Sequence, residues 1–201
     1  MRASLPHVLK DLERNVNNCQ SLITKVKNLG MPRIQVEIIT ELAFLRIFIA
    51  WEIFLEESFI RYLVGAKLPS GYSPKRFVNP SNMEVAKKII LGERREYIKW
   101  NSASEVIARS EIYFKDGEPY GNVLQGAATD LDDMNVIRNR ITHMSTISKD
   151  KFNNFVRRRF GHGIRGMTPG RFLLTPSSTQ TTFFDYYVDI IKTTSEIIIK
   201  I

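Results

Sequence analysis

Cysteine is nearly absent from this chain: Cys19 stands alone among 201 residues. A single thiol excludes an internal disulfide and fits a reducing, cytoplasmic setting. Long apolar runs are missing as well. The richest stretch, Leu42 to Val64, is interrupted by Arg46, Glu52, Glu56, Glu57 and Arg61, so no segment is expected to cross a bilayer. The first residues meet acids at Asp11 and Glu13 before any apolar run, which argues against a signal peptide. Repeats, low-complexity tracts and linkers are lacking too. A chain of this length can bury one good core, so a single domain over 1–201 is the expectation.

What is abundant is positive charge. Lysine and arginine number 29 against 21 acids, a net charge of +8, with a pI near 9.6. That balance suggests a polyanionic partner, either nucleic acid or an acidic membrane surface. The charge is also concentrated. Between Lys149 and Arg171 lie Lys149, Lys151, Arg157, Arg158, Arg159, Arg165 and Arg171, with Asp150 as the one acid. Such a run can be a solvated face or a surface for an RNA backbone.

Apolar residues recur at helical spacing nearly throughout. Leu5, Val8, Leu9, Leu12, Val16, Cys19, Leu22, Ile23, Val26 and Leu29 mark a first helix, stopped by Gly30-Met31-Pro32. A long second helix is predicted from about Arg33 to Val64, apolar around most of its circumference. After a Pro/Gly-punctuated loop, Ser81-x-x-Glu84 and Ser102-x-x-Glu105 read as capping boxes opening two more helices. Another helix should run from near Pro119 to about Thr146. A short one carries Phe152, Phe155, Val156 and Phe160, and a last one starts at about Thr181. The fold class is all-α: an antiparallel helical bundle with a long central helix and an irregular basic loop, dimeric.

Within the penultimate long helix stands Arg138-Asn139-Arg140-Ile141-Thr142-His143. At roughly 100° per residue, Arg138, Asn139, Thr142 and His143 share one face. Met134, Ile137, Ile141 and Met144 fall on the opposite one, so the polar set should look outward. These residue types suit phosphodiester cleavage. A guanidinium fork clamps phosphate oxygens, an imidazole moves protons near neutrality, and an amide can orient the imidazole or the phosphate. Neither a metal ion nor an organic cofactor is called for. One histidine serves poorly as both base and acid, whereas two copies across a two-fold axis would supply both.

The same six residues resemble the Arg-polar-x-x-x-His signature of the HEPN superfamily (higher eukaryotes and prokaryotes nucleotide-binding). Further pieces are similar to its RiboL-PSP branch: Trp51-Glu52-Ile53-Phe54-Leu55-Glu56, Asn79-Pro80-Ser81-Asn82, Phe152 and Pro169-Gly170-Arg171-Phe172-Leu173. The resemblance implies a helical, dimeric, metal-independent endoribonuclease that leaves a 2′,3′-cyclic phosphate. It implies catalytic Arg138 and His143, a supporting Asn139, and a toxin or phage-defence setting with a cognate antitoxin or defence-system partner. Members silenced by adenylylation carry a tyrosine two residues after the histidine. Here that position is Ser145, which speaks against that mode of control.

Around this centre, Arg140, Arg157, Arg158, Arg159, His162, Arg165 and Arg171 are the candidate RNA contacts. Glu52 and Glu56 could orient Arg138 or pair structurally with a cation such as Arg61. Gly161-His162-Gly163-Ile164-Arg165-Gly166 fits G-x-G-x-x-G but lacks the strand before and the helix after, so a basic loop is the better reading. Asp130, Asp132 and Asp133 diverge around their helix and read as a solvated face. Phe152, Phe155, Phe160 and Phe172 could stack bases, although helical spacing favours core for the first three. The alternative to an enzyme is a non-catalytic module that binds RNA or nucleotides or scaffolds a complex. A purely protein-binding dimer is a third reading.

Overall fold

The computed structural model describes residues 4–92, 97–177 and 181–200, the Lys200 side chain excepted. Every regular element among them is helical, as the spacing predicts: α1 (Leu5–Asn28), α2 (Arg33–Leu63), α3 (Met83–Leu91), α4 (Ala103–Tyr113), α5 (Gly121–Gly126), α6 (Ala128–Thr142), α7 (Thr146–Phe160), α8 (Pro169–Leu173) and α9 (Phe183–Lys200). A single 3₁₀ turn, Lys115–Gly117, follows α4. The β pairings among the described residues are two isolated bridges, Arg76 with Phe114 and Pro176 with Thr182. No described helix is long and apolar enough to cross a membrane.

Helix starts follow the caps. Ser102 accepts from the Glu105 amide at 3.4 Å, as its capping box predicts. At α3 the cap is Asn82 rather than Ser81, its Oδ1 accepting from Val85 at 3.0 Å. The motif helix differs more from expectation. It is broken into α5 and α6 at Gly126-Ala127, and it ends at Thr142. Glycine weakens a helix interior, and Ser145 begins a new helix by accepting from the Ser148 amide at 3.2 Å.

Residue contacts divide the chain into two compact units. The first comprises the described residues of Met1–Glu13, Trp51–Thr129 and Lys192–Ile201. Its core is aromatic. Phe59 packs on Phe114, Tyr120 and Trp100 with ring centroids 4.9, 5.2 and 5.3 Å away. The buried hydroxyls are satisfied: Tyr120 donates to Ser58 at 2.9 Å and Tyr62 to the Ile198 carbonyl at 2.8 Å. Burial pushes both phenols above their ordinary pKa. In this unit Glu56 pairs with Lys87 at 3.2 Å, and Arg61 takes its neighbour Glu57 rather than Glu56.

The second unit comprises Arg14–Ala50 and Asp130–Ile191. Phe172 of α8 is its hub, touching Phe183, Phe155, Phe160 and Phe152 at 4.4–6.3 Å. Phe152, Phe155 and Phe172 are fully buried, so they are core rather than stacking platforms for bases. Gly170 lets α8 approach α2. A Cβ there would collide with the Glu37 carbonyl, while the Gly170 amide donates to Glu41 at 2.8 Å. Thr168 caps α8 and donates to Glu37 at 2.9 Å. The α2 segment of this unit is not covered all round, contrary to expectation. Ile34, Ile38, Leu42 and Ile49 form an exposed apolar stripe.

Candidate functional site

His143 lies one residue beyond α6, at the corner where the chain turns into α7. Its amide still donates to Asn139 at 2.9 Å, continuing the helical pattern. Its carbonyl accepts from the Ser148 hydroxyl of α7. The backbone is therefore held from both sides while the imidazole stands exposed, with no hydrogen-bond partner among the described residues. Because α6 has ended, the helical phase that places Met144 on the apolar face no longer applies. Met144 is 94% exposed and Ile147 70% exposed, whereas Met134 and Ile137 are fully buried as expected.

One turn earlier, the Arg138 guanidinium donates through Nη1 to Asn139 Oδ1 at 3.1 Å. Asn139 Nδ2 in turn donates to Asn135 Oδ1 at 3.3 Å. The amide thus orients the arginine rather than the imidazole, and Asn135 completes a polar chain along α6. Asn135 was legible in principle, since i and i+4 share a helix face. Arg138 Nε is buried with no partner among the described residues, so this side chain is half-buried and still has an unused donor.

Arg140 points elsewhere, since two residues along a helix turn the side chain by roughly 200°. It is half-buried, and its Nη1 is buried with no hydrogen-bond partner. Its charge acts on Glu41 of α2. Burial raises the Glu41 pKa, and Glu37 adds to the rise, while the Gly170 N–H and Arg140 oppose it. This carboxylate was not singled out from the sequence. Its signal is an acid four residues after Glu37 on an otherwise apolar helix.

The basic run separates into distinct roles. Arg158 meets Asp133 at 3.5 Å, and Arg159 lies over the Phe183 and Tyr186 rings at 5.1 and 5.6 Å. Both are tied into their own unit. Asp133 is buried, which corrects the solvated-face reading. Burial raises its pKa, against the lowering charges of Arg159 and Arg158. Asp130 accepts from Tyr186 at 2.9 Å, leaving Asp132 in the open.

Arg157 and Arg165, by contrast, line a cavity of about 390 Å³ together with Arg140 and Lys149. His162 is exposed and Arg171 is half-buried in α8, and neither lines that cavity. A larger cavity in the first unit, about 930 Å³, is bordered by Tyr97, Lys99, Arg109 and Ile112, and nothing in the sequence singled it out. No protein-family model, curated protein or solved structure matches the chain.

Proposed function

We propose that the protein is a metal-independent endoribonuclease, active as a homodimer on single-stranded or loop RNA. The observation that carries this reading is the α6–α7 corner: a solvent-facing, unengaged imidazole one turn from a guanidinium held by Asn139. In the reaction, His143 of one copy takes the proton from a ribose 2′-hydroxyl. The 2′-oxygen attacks phosphorus, the bond to the 5′-oxygen breaks, and the second copy's imidazole protonates the leaving oxygen. The products are a 2′,3′-cyclic phosphate and a 5′-hydroxyl. Arg138 stabilises the charge that builds on the nonbridging oxygens. The resemblance to HEPN ribonucleases supports the same roles, and with them a place in a toxin–antitoxin or antiviral system.

Dimerisation is supported by what the second unit leaves uncovered. Met144 and Ile147 flank His143, and the α2 stripe of Ile34, Ile38, Leu42 and Ile49 is exposed apolar surface of the kind that marks partner sites. The test is cleavage of a labelled RNA by purified protein with EDTA present. His143→Ala should lower the rate on the order of 10²–10⁴-fold and leave the helical circular-dichroism spectrum unchanged. Loss of cleavage in EDTA with recovery in Mg²⁺ would overturn the mechanism. RNA binding without turnover by the wild type would favour the non-catalytic module.

A further inference from the structure

The cavity bounded by α6, α7 and the Gly163–Met167 loop lies outside the proposed cleavage centre, and its lining is chemically one-sided. Arg140, Lys149, Arg157 and Arg165 contribute four cations, and no carboxylate lines it. Lys149, Asn153 and Arg157 follow at i, i+4 and i+8, so they form one ridge along α7. Lys149, Arg157 and Arg165 are exposed, whereas Arg140 closes the inner side with its buried, unpartnered Nη1. The Arg157 guanidinium lies against the loop: its Nε stands 3.9 Å from where a Cβ on Gly163 would be, an ordinary contact distance. The amides of Gly163, Ile164, Arg165 and Gly166 donate to no backbone oxygen among the described residues, which leaves them available to a ligand. Phe152, Val156, Ile164 and Met167 add an apolar floor and wall.

Glu41 lies on the far side of Arg140, and with no carboxylate in the lining itself the four cations call for a ligand with several negative charges close together. The apolar lining calls for a flat or hydrocarbon part on the same ligand. A volume of about 390 Å³ falls within the usual range for small-ligand sites. We infer that this cavity is a binding site for neighbouring phosphates carried on a nucleotide, separate from the Arg138/His143 centre. Its cations hold the phosphates, and the half-buried Ile164 and Met167 rest against the sugar or base. Two sources offer that chemistry: the polyphosphate tail of a free nucleotide, or successive phosphodiesters of an RNA strand. The inference does not depend on cleavage. A chain with no turnover would carry the site equally well.

The experiment titrates the full chain with ATP, and with a 2′-O-methyl oligonucleotide that cannot be cleaved, by calorimetry or fluorescence anisotropy. Saturable one-to-one binding is expected for at least one of them. Arg157→Ala/Arg165→Ala should weaken it by about tenfold or more, because charge-assisted hydrogen bonds are lost. Lys10→Ala/Lys151→Ala removes the same charge from exposed positions outside the cavity and should change affinity less than about threefold, as screened surface charge does. If both ligands bind, the one whose affinity falls in Arg157→Ala/Arg165→Ala is assigned to the cavity, and displacement of ATP by the oligonucleotide with loss of both shows that the two share it. Equal losses in the two double variants, or no saturable binding of either ligand, would overturn the inference.

Discussion

Arg138 and Arg140 sit two residues apart on one helix and inhabit different chemical worlds. Around Arg138 the partners are neutral amides, Asn139 and then Asn135, and the neighbouring imidazole is open to solvent. Around Arg140 the partners are charged: Glu41 beside it, and Lys149, Arg157 and Arg165 across a cavity. An amide fixes a guanidinium without consuming its charge, which suits a transition-state clamp. A wall of cations suits a ligand that brings its own negative charge. The lesson is that a short motif can serve two surfaces, because the helix turns its adjacent members apart.

The sharpest way to break this division is to separate the two arginines kinetically. Arg138→Ala should lower kcat on the order of 10²–10³-fold, as loss of a charge-stabilising donor does. Arg140→Ala should act mainly on KM, raising it about tenfold with kcat little changed. Equal falls in kcat for both variants would merge the two regions into one.

A smaller effect is expected from Gly170→Ala, which reaches the Arg140 side through α8 and Glu41. The new methyl group meets the Glu37 carbonyl, so α8 must move. Overpacking of this kind costs about 1–3 kcal/mol. Thermal unfolding should register it at roughly 2–4 °C per kcal/mol. An unchanged melting temperature would mean that the close approach of α8 to α2 is not needed.

The mildest probe is Glu41→Gln. Burial raises the folded-state pKa of Glu41 above its unfolded value, so the folded protein binds more protons between the two. The favourable protonated state is complete below the unfolded carboxylate value and is lost as pH rises through the raised folded value. Wild-type stability should therefore fall across that window. Glu41→Gln should flatten the fall, because glutamine still accepts from Gly170 and carries no charge. Melting curves from acid to neutral pH check this, and a parallel fall in the variant would assign the slope to other groups.

Much of this was legible in the residues. The limits of α1 and α2 came from apolar periodicity and from Gly30-Met31-Pro32. The start of α4 came from Ser102 and Glu105. The helix end at Thr142, earlier than the predicted limit near Thr146, has a local signal, since Ser145 is a good N-cap residue. The apolar spacing of Ile141 and Met144 points the other way, because periodicity continues through a corner that the backbone does not follow. Leu22 and Leu29 show the same limit on α1, both exposed despite their phase.

By itself the sequence determined the helical class, most buried faces, and the placing of Arg138 and Asn139 together on one face of their helix. Only the tertiary structure decided that Arg158 answers Asp133, that Arg159 covers Phe183, and that Arg157 turns to the cavity with Arg165. The physical reason is one of range. Spacing along a helix sets the direction in which a side chain points. What it meets there depends on elements tens of residues away, and in three consecutive arginines nothing local distinguishes one from the next.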